Sequence, residues 1–228
     1  MSTPGFVNTV HAVIAKDIRS ELRSKQTVAT MLLFGVVLTM VFAFAFVTDP
    51  QTNRMVFPGA IWGALFFTGV LGVGRTFARE AEDGAFHALM LSPADRGAVL
   101  VAKMVVNVIL VSTVMVLVVP LMAIMLHVQT DGLATWLVIQ IVSGCVGFAV
   151  VATPLAVLAV GARFAEVLLP MVIFPLVTPI LIAGVKGTSA LMGTTVEDDP
   201  MPWLKFTWAF ICVFGLLAMA LFDRMVTE

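Results

Sequence analysis

The sequence predicts an all-α integral membrane protein, with six transmembrane helices, an amphipathic helix before the first and a short surface helix between the second and third. Three observations predict this class: 60% of the residues are hydrophobic, only 12% are charged, and the hydrophobic residues fall into long stretches. A helix that crosses the hydrocarbon core of a bilayer needs about 20 mostly apolar residues. Six stretches meet this requirement, so residues 1–228 are predicted to form a single transmembrane domain. The six predicted spans are residues 28–47, 57–74, 99–126, 133–161, 167–185 and 204–222.

The segment before the first span, residues 7–25, is predicted to be an amphipathic helix on the membrane surface. Val10, Ile14, Ile18 and Leu22 recur every four residues, and charged residues fill the gaps between them. The segment lacks the continuous apolar region of a cleavable signal peptide. We therefore expect an interfacial helix that leads directly into the first span.

The positions of the basic residues predict the orientation. With six spans, both termini lie on the same side of the membrane. Of the 13 Lys and Arg residues, only Arg54, Lys186 and Lys205 fall on the opposite side. Because cytoplasmic loops retain positive charge, both termini are predicted to be cytoplasmic. The net charge of −1 gives no reason to expect nucleic acid binding.

The segment 78–92, between the second and third spans, contains a dense cluster of charge. Phe86, Leu89 and Met90 have the i, i+3, i+4 spacing of one helix face, which a plain turn does not need. An apolar patch framed by carboxylates indicates a coupling helix that docks on another protein; the alternative is an interfacial helix that only closes a loop. The residues assigned to this docking surface are Glu80, Glu82, Gly84, Phe86, Leu89, Met90, Ser92 and Pro93.

Several absences from the sequence limit the chemistry of the chain. The cores of the spans contain no Asp, Glu, Lys, Arg or His, although ion-coupled transporters need such groups within the membrane. There is no GxxxxGK[ST] phosphate-binding loop and no constellation of catalytic side chains. Cys145 and Cys212 belong to no CxxC or Cys/His cluster, so no metal site is predicted. The chain is therefore predicted not to be an enzyme, and any energy must enter through its cytoplasmic face.

A few polar residues enter the ends of the predicted spans or lie deeper within them. Lys103 is expected to extend toward the interface, and Asn107 to bond to a neighbouring helix. Gln140 lies deeper, and it either lines a pathway or makes a hydrogen bond between helices. Residues 186–203 are expected to form an outer loop that is partly re-entrant.

Proline and glycine mark further candidates for a pathway or a dimer contact. Pro170, Pro175 and Pro179 crowd the fifth span, which is therefore predicted to be kinked or broken. Gly59 and Gly63 form a GxxxG pattern in the second span, which is compatible with close helix contact.

Specific residues carry a resemblance to a known family. Around segment 78–92, the sequence resembles the first cytoplasmic loop of ABC-2-type exporter permeases through Glu80, Glu82, Gly84, Leu89, Leu91, Ser92, Pro93 and Lys103. It resembles more closely the CcmB family, the permease subunit of the haem exporter system in bacterial cytochrome c maturation. The stretches that carry this closer resemblance are residues 57–62, 75, 79–84, 91–93, 102–103, 159–161, 167–169 and 176–179.

The resemblance implies an assembly in the bacterial inner membrane. It implies two copies of the chain, with the first and fifth spans near the dimer axis, on two CcmA-like ATPase subunits that bind the ATP. CcmC-like and CcmD-like membrane proteins and a periplasmic haem chaperone are the other implied partners. No cofactor is expected in this chain, and haem is implied only as a transported or partner-bound ligand.

The function that the resemblance implies is conversion of ATPase motion into haem export or into release of haem-loaded chaperone. One alternative is a scaffold or mechanical relay that transports nothing, and another is an ABC-2 permease for a different lipophilic substrate. A third alternative, an intramembrane haem enzyme, would need axial ligands in the spans. His127, at the outer end of the third span, is the nearest candidate, and a lone interfacial His is more often solvated.

Overall fold

The chain folds into a bundle of long helices. The computed structural model describes residues 5–46, 49–82, 95–130, 132–159, 165–194 and 199–225. Within these ranges there are seven helices and no strand, and six of the helices are long and apolar enough to cross a membrane. The prediction of an all-α integral membrane protein is therefore confirmed. The helices are α1 (Phe6–Ser24), α2 (Gln26–Phe46), α3 (Pro50–Glu82), α4 (Arg96–Met125), α5 (Ala134–Ala159), α6 (Ala165–Leu191) and α7 (Met201–Met225).

A one-residue joint separates the amphipathic helix α1 from the first apolar helix, α2. Lys25 occupies the left-handed region with φ 53°, and its backbone N–H donates to the Glu21 carbonyl over 2.6 Å. The Glu21 side chain in turn accepts a hydrogen bond of 3.0 Å from the backbone N–H of Val28, in the first turn of α2. Glu21 therefore satisfies backbone groups on both sides of the joint and fixes the turn between the two helices.

The centre of the bundle is formed by α3 and α5, which pack against each other and against α4 and α6. Trp62 of α3 is 1% exposed, and its indole ring lies in a slot between Gly144 of α5 and Gly184 of α6. A Cβ atom at either glycine would overlap the ring. The indole N–H donates to Thr188 Oγ1 over 3.0 Å, so the ring has both its apolar and its polar requirements met.

Two helices, α3 and α6, extend beyond their predicted bounds by six residues or more at one end or both. The second span was expected at residues 57–74, whereas α3 begins at Pro50 and continues to Glu82. The Asp49 carboxylate accepts hydrogen bonds from the Thr52 hydroxyl and from the backbone N–H groups of Gln51 and Thr52, which caps the helix. These bonds, chiefly the one from the Thr52 hydroxyl, hold the pKa of Asp49 below its usual value.

The fifth apolar helix is also longer than predicted. The outer loop was expected at residues 186–203, but α6 continues to Leu191 and α7 begins at Met201. The additional turns of α6 include Thr188, whose side chain is buried and accepts the hydrogen bond from the Trp62 indole. That tertiary contact stabilises helical turns whose sequence, rich in Gly, Thr and Ser, favours a loop.

The three prolines of the fifth span lie inside a continuous helix. Pro170, Pro175 and Pro179 all fall within α6, which runs without interruption from Ala165 to Leu191. Each proline removes a single backbone donor, and the backbone bonds of the residues between them remain available. Of the two alternatives, a kinked or a broken span, the structure excludes the break.

Candidate coupling face

One face of the bundle carries α1, which packs along the first turns of α4. Val13 of α1 is buried with Val99 and Ala102 of α4, and Asp17 lies on the same side of α1 one turn further on. The predicted apolar stripe packs here in part: Val10 and Ile14 are half-buried against this cluster, whereas Leu22 is 66% exposed. The first half of the stripe therefore faces α4, and Leu22 is left available to the membrane interface.

A buried ion pair joins these two helices. Lys103 Nζ of α4 lies 2.8 Å from Asp17 Oδ2 of α1, and the side chains are 1% and 8% exposed. Lys16, which is 49% exposed, contacts the other carboxylate oxygen at 3.0 Å. The Lys103 ammonium also lies 5.9 Å from the centre of the Phe77 ring of α3, within the range of a cation–π interaction. The Lys103 ammonium thus links α4 to both α1 and α3.

The position of Lys103 differs from the prediction. We expected its side chain to extend to the interface, but it turns inward to Asp17. Lys103 lies about two turns into α4, at a depth where an unpaired ammonium would be costly. The apolar spacing of α1 places Asp17 among the charged residues between the apolar positions, so it was not predicted to be the partner of Lys103. The signal in the sequence was its position four residues after Val13; the structure shows that α4 covers this side of α1.

The ends of the predicted coupling segment lie next to this junction in the chain. α3 reaches Glu82, so the backbone of Glu80 and Glu82 forms its last turns. α4 begins after Asp95, whose side chain accepts a hydrogen bond of 3.1 Å from the Ala98 N–H. Residues 83–94 connect these two points. The other residues assigned to docking, which are Gly84, Phe86, Leu89, Met90, Ser92 and Pro93, lie outside the described residues.

The other polar candidates make contacts between helices. Asn107 of α4 donates to Thr153 Oγ1 of α5 over 2.9 Å, which confirms the predicted bond to a neighbouring helix. Gln140 of α5 is 2% exposed, and its amide donates to the Ala183 carbonyl of α6 over 3.5 Å. The structure therefore places Gln140 in the contact between α5 and α6.

The GxxxG pattern lies on an outward side of α3. Gly59 is exposed and Gly63 is half-buried, and a Cβ atom at either position would meet nothing within 4 Å. Pro175 of α6 is exposed as well. Among the described residues, these two glycines therefore make no close helix contact within the chain.

The fold and this face together define a polytopic membrane protein: a bundle of apolar helices that can cross the bilayer, with an amphipathic helix fixed to one of its ends. Comparison with known families is more specific. The sequence model of the family described as CcmB protein matches residues 8–224. The chain belongs to the CcmB family, a family of transporter permeases, and this confirms the resemblance noted from the sequence.

Three curated relatives match over most of their length. A protein named Heme exporter protein B from Rhodobacter capsulatus is 27% identical over 177 residues, which cover 78% of this chain and 81% of the relative. The protein of the same name from Pseudomonas aeruginosa is 25% identical over 213 residues, covering 93% and 95%. That from Paracoccus denitrificans is 25% identical over 211 residues, covering 92% and 94%. The chain is therefore a multi-pass bacterial membrane protein.

Proposed function

We propose that this chain is the permease subunit of an ATP-driven haem exporter, and that segment 78–92 receives the motion of a separate ATPase subunit. Membership of the CcmB family and the relatives named Heme exporter protein B support this proposal. The proposal places the protein in the bacterial inner membrane with both termini cytoplasmic. The ATPase motion would drive either haem export or release of a haem-loaded chaperone.

The observation that carries the coupling part of the proposal is the junction at Lys103. A force applied to residues 83–94 acts first on the end of α3 and the start of α4. Lys103 contacts Asp17 of α1 and lies near Phe77 of α3, so a displacement of either end is opposed by a buried charge contact. Separating such a pair leaves an uncompensated charge away from water, whereas apolar contacts slide at smaller cost. The junction therefore suits a relay that moves helices as rigid bodies.

Docking on the ATPase should depend more on the apolar residues of segment 78–92 than on its carboxylates. We expect Phe86→Ala to reduce co-purification of the ATPase at least tenfold, and Glu82→Gln to reduce it by no more than about threefold. Buried aromatic anchors dominate protein interfaces, while charges at the rim contribute less. The measurement is the amount of ATPase retained on tagged permease in mild detergent at a series of ATPase concentrations.

Phe67→Ala provides the control, because Phe67 is a 49% exposed phenylalanine in the middle of α3, away from the ends of the bundle. It should leave ATPase binding unchanged. Equal losses for Phe86→Ala and Glu82→Gln, or a larger loss for the carboxylate variant, would contradict the assignment of Phe86 as the anchor.

The proposal includes a two-fold dimer, because two ATPase subunits need two docking segments and each chain offers one. We place α2 and α6 near the axis on the resemblance to the family. Contacts with CcmC-like and CcmD-like proteins and with a periplasmic haem chaperone belong to the same proposal. The outward positions of Gly59, Gly63 and Pro175 are compatible with contacts to a second copy or to these partners.

Disulfide cross-linking tests this arrangement. In a chain whose native cysteines, Cys145 and Cys212, are replaced, Met171→Cys in α6 should give a covalent dimer within the intact complex. Leu216→Cys in α7 is the matched control, since the native side chains are 69% and 72% exposed, respectively. Dimer formation at Met171 but not at Leu216 is expected on electrophoresis without reductant. Monomer alone at both positions, or equal cross-linking at both, would place the axis elsewhere or remove it.

A further inference from the structure

A second feature lies at the opposite end of the bundle from α1, at the start of α3, the residues that follow α4 and the end of α6. The first turns of α3, the start of the connection after α4 and the end of α6 enclose an open cavity of about 730 Å³. Binding sites for small molecules have volumes of about 300–1,000 Å³, so the cavity is of the right size for one. Nothing in the coupling mechanism proposed above uses it.

The lining of the cavity divides into a polar and an apolar part. Arg54, His127 and Gln129 supply a guanidinium, an imidazole and an amide, and no carboxylate is found among the described lining residues. Met55 and Met192 form part of the apolar lining. A ligand that suits both parts has an anionic group joined to an apolar body.

Local hydrogen bonds fix two walls of the cavity. His127 occupies the left-handed region with φ 53°, and its backbone N–H donates to the Ile124 carbonyl over 3.2 Å. On the opposite wall, the backbone N–H and the hydroxyl of Thr194 both donate to the Ser189 carbonyl, over 3.1 and 3.0 Å. A residue other than Gly rarely adopts the left-handed conformation unless its surroundings hold it there. The walls are therefore set by the fold before any ligand arrives.

We propose that this cavity binds an amphipathic organic anion, with Arg54 pairing to its acidic group and its apolar body lying against Met55 and Met192. The planar fork of Arg matches a carboxylate or a phosphate through two parallel hydrogen bonds. Methionine side chains adapt to apolar bodies of varied shape. The choice of a carboxylate ligand rests on the proposed function, because haem is an apolar macrocycle with two carboxylates; an anionic lipid headgroup presents the same chemistry.

A metal-free porphyrin tests the proposal, because without iron no imidazole, including that of His127, can act as an axial ligand. The full chain in nanodiscs of neutral phosphatidylcholine is titrated with mesoporphyrin IX and with its dimethyl ester, and empty nanodiscs provide the background. We expect saturable binding of the acid and at least tenfold weaker binding of the ester. Arg54→Gln should weaken binding of the acid about tenfold, and Arg54→Lys by less. Lys205→Gln is the control: Lys205 is an exposed lysine near the start of α7, outside the cavity lining, and its loss should leave porphyrin binding unchanged.

Two further arms identify the source of the anion. The bound porphyrin is challenged with soluble dihexanoyl phosphatidylglycerol and, separately, with dihexanoyl phosphatidylcholine. Displacement by the anionic lipid alone would support the site and assign it to a lipid phosphate. No displacement by either lipid would support a carboxylate ligand. Equal affinity for acid and ester, or no effect of Arg54→Gln, would overturn the proposal. Because the ATPase is absent from this assay, such a failure would leave the docking test on Phe86 unaffected.

Discussion

Replacing Lys103 with alanine should destabilise the protein by about 3 kcal/mol, since it leaves the buried Asp17 carboxylate with only the half-exposed Lys16 as its cation. For a chain of this size, such a loss corresponds to a fall in melting temperature on the order of 10 °C. The fraction of monodisperse protein remaining after heating, measured by size-exclusion chromatography of a fluorescent fusion, gives that midpoint. Under the proposed function, the same variant should also lower coupling to the ATPase, because α1 then loses its ion pair with α4 and keeps only apolar contacts.

Lys16→Ala is the matched control for this experiment. Both lysines contact the same carboxylate, but Lys16 is 49% exposed and Lys103 is 1% exposed. Exposed ion pairs contribute no more than about 1 kcal/mol, so Lys16→Ala should be nearly silent. The double variant Asp17→Asn, Lys103→Met should recover part of the lost stability, because it buries no net charge. Equal effects of the two lysine variants would show that the buried pair does not hold the junction together.

The second large effect is expected at Trp62. Trp62→Ala should cost about 3 kcal/mol, at the lower end of the range for buried aromatic residues. We expect a cost at the lower end of this range because helices that separate within a bilayer expose their side chains to lipid rather than to water. The variant therefore loses mainly the packing contacts of the indole ring and little transfer free energy. The variant also removes the hydrogen bond that the Thr188 hydroxyl oxygen accepts from the indole N–H. The same heating assay measures this change without relying on tryptophan fluorescence.

Trp208→Ala is the matched control for the loss of a tryptophan, because Trp208 of α7 is 47% exposed whereas Trp62 is 1% exposed. It should change the melting temperature by no more than about 2 °C. Gly184→Ala tests the slot from the other side and should also destabilise, since its Cβ would overlap the indole ring. Gly63→Ala, where the Cβ meets nothing, should not reduce the stability of the monomer. If Trp62→Ala and Trp208→Ala melted alike, the slot would not be a source of stability.

Hydrophobicity alone predicted the fold class and the six apolar helices, because a membrane span must satisfy a length and a composition that few other structures share. It did not predict where α3 begins or where α6 ends. Those limits depend on the cap at Asp49 and on the contact between Trp62 and Thr188, which are hydrogen bonds rather than apolar runs. Hydropathy also could not show that α6 tolerates its prolines as a continuous helix.

The contact between α1 and α4 was predicted in part. The amphipathic nature of α1 was evident from its spacing, but the apolar stripe did not show that Val13 and Asp17 are buried in this contact. The partner of Lys103 lies 86 residues earlier in the chain, and no local pattern connects the two. The side chain of a lysine in the first turns of a span can either extend to the membrane interface or pair with a buried acidic residue. Only the tertiary structure shows which of these occurs.

The separation of Asp17 and Lys103 also bears on how the protein is made. Asp17 leaves the ribosome 86 residues ahead of Lys103, so α1 is synthesised long before the helix on which it will rest. Placing the charged Lys103 side chain among lipid tails costs free energy, and the Asp17 carboxylate, already synthesised, supplies the opposite charge. We therefore expect α1 to reach its final position only after α4 is inserted, and hence after the two earlier hydrophobic helices, α2 and α3.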